Sequence, residues 1–168
     1  MPNWVTNKVV ITGKAERITE IIESIKGENR SIDFDKIIPM PAELLGTRSP
    51  VEKPDPILIA KYGSDNWYDW ACQNWGTKWN ASGTQDVKLN DKGNRLTIVF
   101  NTAWSTPAPV IEKLSEKFPD VKINVWYADE DFGSNVGKYG FINGMVSKDE
   151  PLDGLPSGRR LARQLLNY

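Results

Sequence analysis

A chain of 168 residues with 21 Lys and Arg against 22 Asp and Glu carries a net charge of −1. That length is enough for one domain with a self-sufficient core, and the charge lacks the basic surplus of a simple nucleic-acid binder. With no histidine and a single cysteine, Cys72, the chain has no Ser-His-Asp or Cys-His catalysis, no His-containing or thiolate-cluster zinc site and no internal disulfide. No apolar run reaches membrane-spanning length and no signal segment follows Met1, so the setting expected is reducing and cytoplasmic.

Residues 4–12 are rich in β-branched and aromatic types and stop at Gly13, which predicts a strand. From Ala15 to Lys26, Ile18, Ile21, Ile22 and Ile25 recur at helical spacing, with Glu16, Arg17, Glu20 and Glu23 outside their face and Gly27 as the stop. Residues 28–63 hold five prolines and are expected to be mostly irregular, with a short strand over Ile32–Ile38 and one helical turn over Ala42–Leu45. Ser64 as N-cap predicts a helix from Asp65 to Trp75, ended by Gly76. Three short strands follow at 77–81, 86–90 and 95–101, the last two joined by a turn at Asn90–Asn94. Thr106 as N-cap and Pro107 at the first helical position start a helix whose Val110, Ile111, Leu114 and Phe118 are to be buried. Residues 121–127 alternate apolar and polar as a half-buried strand should, and Tyr139–Val146 is a further strand candidate. The tail from Pro156 to Tyr168 has helical spacing, with Leu161, Leu165 and Leu166 on one side.

Leaving out residues 28–83, the order is strand, helix, strand, strand, helix, strand. This is the α+β, ferredoxin-like (split βαβ) arrangement, an antiparallel sheet with two helices on one face. The expected organisation is therefore a domain over residues 1–148, carrying a Pro/Trp-rich insertion at about 28–83, followed by a tail over 149–168. Four of the seven tryptophans sit between Trp67 and Trp79. A helix would place Trp67, Trp70 and Trp75 on one face, where they dock the insertion onto the sheet.

The opening Pro2-Asn3-Trp4-Val5-Thr6-Asn7, the segment 37–41, Asn66-Trp67-Tyr68-Asp69-Trp70, Asn74-Trp75-Gly76-Thr77-Lys78-Trp79-Asn80 and Thr102-Ala103-Trp104-Ser105-Thr106-Pro107 together resemble the YubB ferredoxin-like, or Api92-like, family. The resemblance runs from Pro2 to about Gly144. It implies an accessory protein of a phage, plasmid or other mobile element, and it brings no established activity or catalytic residues. Val5 stands where relatives often carry a cysteine, so any role of that thiol does not carry over.

The candidate binding residues are Tyr68, Asn74, Lys78, Trp79, Asn80, Thr102 and Trp104, an aromatic wall with polar donors and one cation. On a strand, Lys78 would alternate against Trp75 and Trp79. Asp129-Glu130-Asp131 would need Asp33 or Asp35 beside it to hold Mg²⁺ or Ca²⁺, and its spacing is not that of an EF-hand. Residues 133–140 depart from both phosphate-binding glycine patterns. Arg159, Arg160 and Arg163 either meet an anionic partner or stay solvated beside docked leucines. No cofactor, bound metal or membrane is expected. The leading expectation is a non-enzymatic protein that binds a host protein or sequesters a small ligand, in counter-defence. The alternatives are a single-stranded nucleic-acid module using the open sheet face and a Mg²⁺-dependent carboxylate enzyme acting on phosphates through Asp129 and Glu130.

Overall fold

A computed structural model describes residues 1–167; Tyr168, the end of the expected tail helix, lies outside them. The first unit is β1 (Trp4–Thr12), α1 (Ala15–Ile25) and, after the insertion, β2 (Ser82–Leu89). β3 (Arg95–Ala103), α4 (Ala108–Lys117) and β4 (Lys122–Asp129) complete the second, and the insertion lies between α1 and β2. The four strands stand in the order β2-β3-β1-β4, each antiparallel to its neighbours. β1 and β2 thus run parallel with β3 between them, which is the split βαβ topology.

Strand alternation divides the sheet into two faces. Val9 and Ile11 of β1, Leu96, Ile98 and Phe100 of β3, and Ile123 and Val125 of β4 meet the stripes Ile18, Ile21, Ile25 of α1 and Val110, Ile111, Leu114 of α4 in one core. Both helices therefore cover the same face, as the isoleucine and Val/Leu stripes predict. The start of α4 differs from expectation. Its cap is Pro107, with a second proline in the first turn, and the Thr106 hydroxyl is instead 2.8 Å from the Tyr139 hydroxyl.

The insertion joins this core. Residues 32–38 are not a strand, because Asp33 accepts from Asp35 N and caps a 3₁₀ turn at Phe34–Lys36 that drops Phe34 into the interior. A second 3₁₀ turn, Ala42–Leu44, buries Leu44. α2 (Pro56–Tyr62) is a helix where irregular chain was expected. Asp55 caps it through Ile57 N and Leu58 N, Pro56 opens it, and Gly63 closes it at φ 76°. α3 (Trp67–Asn74) is capped by Asn66, whose Oδ1 accepts from Asp69 N at 2.9 Å. Ser64 is buried instead and donates to Asn66 O. Trp70 and Trp75 enter the core, and Trp75 Nε1 donates to Ile38 O at 2.8 Å. No strand forms over 77–81: Gly76 turns at φ 73°, and β2 begins at Ser82 with a bulge before Asp86.

The strand expected over Tyr139–Val146 is a hairpin. β5 (Val136–Ile142) and β6 (Met145–Pro151) fold back at Asn143-Gly144, where both residues have positive φ, and extend the sheet beyond β4. The expected boundary between domain and tail at 148 thus lies inside β6. α5 (Pro156–Leu166) packs on the sheet face opposite α1 and α4, its Leu161, Ala162, Leu165 and Leu166 against Ala128, Val136 and Leu152. Close approach depends on Gly158, where a Cβ would lie 2.1 Å from Leu152 O. Gly158→Ala is expected to cost about 1–3 kcal/mol and to push α5 outward. Hydrogen exchange over 156–166 should then lose protection; unchanged protection would contradict this packing.

Candidate functional site

Two loops come together at one end of the sheet. Thr77 Oγ1 donates to Ala103 O at 2.7 Å and Ser105 Oγ donates to Gly76 O, so the 76–79 turn is bound to the 103–105 turn. Between them Lys78 Nζ stands 4.4 Å from the Trp79 ring centre, 4.9 Å from that of Trp104 and 5.8 Å from that of Tyr68. Cation–π pairs of this kind are worth roughly 0.5–1 kcal/mol at exposed sites. Lys78 therefore lies among rings, where the expected strand alternation would have separated it from Trp79.

The rings continue outward. Tyr68 packs edge-on against Trp67 at 5.8 Å and against Trp104 at 6.1 Å, and Trp4 lies 6.0 Å from Trp79. Trp79 and Trp104 are 37% and 43% exposed. Trp104 adopts φ 68°, a left-handed conformation unfavourable for a side chain of this size. It is held there by Trp104 N donating to Asn3 O and by Asn135 Nδ2 donating to Trp104 O, each at 2.9 Å.

Of the seven residues expected, Tyr68, Lys78, Trp79 and Trp104 converge. The other three are internal fasteners. Asn74 Nδ2 donates to Trp70 O one turn back. Asn80 accepts from Phe34 N and Ala81 N and donates to Asp33 Oδ1, fixing the insertion. Thr102 is fully buried between Asn7 Nδ2 and Ser105 O. Trp4 and Cys72 were missed. Trp4 belongs to β1, and no local pattern links it to a tryptophan 75 positions on. Cys72 meets Tyr68, but burial holds its thiol above the ordinary range, so it is not a ready nucleophile. Trp67, expected as an anchor with Trp70 and Trp75, is only half-buried.

The acidic loop is part of this framework. Asp129, 5% exposed, accepts from Asn3 Nδ2, Asn135 Nδ2 and Asp131 N, while Glu130 Oε1 accepts from Trp4 N. Asp33 is engaged elsewhere, with Asp35 N and Asn80. Among the described residues no three acidic, His or Cys side chains are grouped to hold a metal ion, and no helix is long and apolar enough to cross a membrane.

Topology and packing together define a ferredoxin-like α+β domain, its first crossover enlarged by an aromatic-rich insertion. Residues 74–156 match the family model described as the ferredoxin-like domain in Api92-like protein, in agreement with the resemblance that the sequence motifs carry. The chain is also similar to the crystal structure of protein api92 from Yersinia pseudotuberculosis, with a TM-score of 0.53 and 12% identity, over 90% of this chain and 98% of that one. At that identity the likeness concerns the fold. No curated protein matches the chain.

Proposed function

We propose that this is a non-catalytic binding protein of a phage or other mobile element, acting in the cytoplasm on a host protein, in counter-defence. The partner is engaged by the face made of Trp4, Tyr68, Lys78, Trp79 and Trp104. One observation carries the reading: Trp104 is held exposed in a costly backbone conformation by hydrogen bonds on both sides. Strain maintained at an outward-facing tryptophan is the pattern of a recognition residue. Exposed tryptophans beside a cation are also typical interface anchors, and such anchors contribute about 2–4 kcal/mol each. A protein partner is preferred to a sequestered small ligand because Trp79 and Trp104 present much of their rings to solvent. The absence of histidine and the commitment of Asp129 to three internal donors support a non-catalytic role.

The test is affinity capture from bacterial lysate with the wild-type protein and a Trp79→Ala/Trp104→Ala variant of verified fold. The wild type is expected to retain a discrete partner that the variant releases. Equal retention by both would remove this face as the binding surface.

A further inference from the structure

A second surface lies on the sheet face that α5 only partly covers. Strand register places Trp126 of β4, Lys8 of β1 and Val99 of β3 side by side on that face. These residues, with Asp86 and Lys88 of β2 and Arg95 of β3, form one wall of a groove of about 460 Å³, and Leu161 and Leu165 of α5 form the other. The charge of this face departs from that of the chain. Among the described strand residues, alternation directs Lys8, Lys88, Arg95, Lys122, Lys138 and Lys148 to it, against Asp86 and Glu150. Asp86 pairs with Lys88, and Glu150 with Lys138 and Lys148. Lys8 and Arg95 form no ion pair among the described residues. In a chain of net charge −1, the groove thus holds Lys8 and Arg95 without acidic partners, and the exposed Lys88–Asp86 pair, beside an indole ring.

We propose that this groove binds single-stranded nucleic acid without sequence preference, one base lying against Trp126 and the phosphates passing Lys8, Lys88 and Arg95. From β4 across β1 and β3 to β2 there are three strand spacings of about 4.8 Å, so the wall spans about 14 Å, more than one phosphate fills. Cations spread along a groove that starts at an aromatic ring match the backbone-tracking and stacking that such binding requires. The groove shares no residue with the aromatic face proposed for the host protein, so the two assignments stand or fall separately.

Fluorescence anisotropy with labelled oligothymidylate and oligouridylate tests the assignment on the full chain. Binding is expected at about 50 mM salt and should weaken roughly 20-fold by about 200 mM if three phosphates are contacted. Lys8→Glu and Arg95→Glu, both exposed and so compatible with folding, should each reduce affinity and flatten the salt dependence. Trp126→Leu should lose about 5- to 150-fold, and Trp79→Ala/Trp104→Ala should lose nothing. Preference for one oligomer identifies the natural strand as DNA or RNA. No anisotropy change for either at low salt would overturn the proposal, as would binding that survives both charge reversals.

Discussion

Phe34→Ala is expected to remove about 3–5 kcal/mol of stability, a large part of the 5–15 kcal/mol typical of a whole domain. Phe34 is fully buried, and its ring stands edge-on to Trp75 at 5.8 Å and to Phe100 at 5.9 Å. Phe100 belongs to β3 and Trp75 follows α3, so one side chain joins the insertion to the sheet. Truncation leaves a cavity bordered by two rigid rings, which restricts collapse around it. Urea unfolding followed by tryptophan fluorescence should show one transition at a lower midpoint. Two separated transitions, or an unchanged midpoint, would mean that the insertion is energetically detached from the sheet.

Replacing Trp104 should separate stability from recognition. The left-handed backbone at φ 68° costs an L-residue about 1–2 kcal/mol, whereas glycine adopts it freely. Trp104→Gly should therefore be more stable than Trp104→Ala by about 1 kcal/mol, although both lose the ring packing with Tyr68 and the contact with Lys78. Both should bind the proposed protein partner about 30- to 700-fold more weakly, the effect of removing an anchor worth about 2–4 kcal/mol. Thermal melts give the order of stability, and titration with the captured partner gives the affinities. An alanine variant as stable as the glycine variant would show that the conformation at 104 carries no cost.

The regular part of the fold was written locally. Isoleucines at 18, 21 and 25 and the stripe at 110, 111 and 114 are read from spacing alone, and both are buried where that spacing puts them. Asn143-Gly144 and the Asp55-Pro56…Gly63 bracket were equally local signals of a hairpin and a helix. Apolar runs and proline density point the other way at these two places, and the local turn and capping signals prevail. The site was less legible for a different reason. Asn80 and Thr102 have the composition of ligand donors, but their partners are Asp33 and Asn7, 47 and 95 positions away. Strand alternation would point Lys78 away from Trp79, whereas a turn over these residues brings the two together.

Asp129 grips Asn3 through one oxygen and Asn135 through the other, and those two asparagines hold the N–H and the C=O of Trp104. The presentation of that indole is thus delegated to a buried carboxylate at the far end of β4. Substitution at Asp129, Asn3 or Asn135 would therefore retune the pose of Trp104 while Trp4, Tyr68, Lys78, Trp79 and Trp104 themselves stay the same.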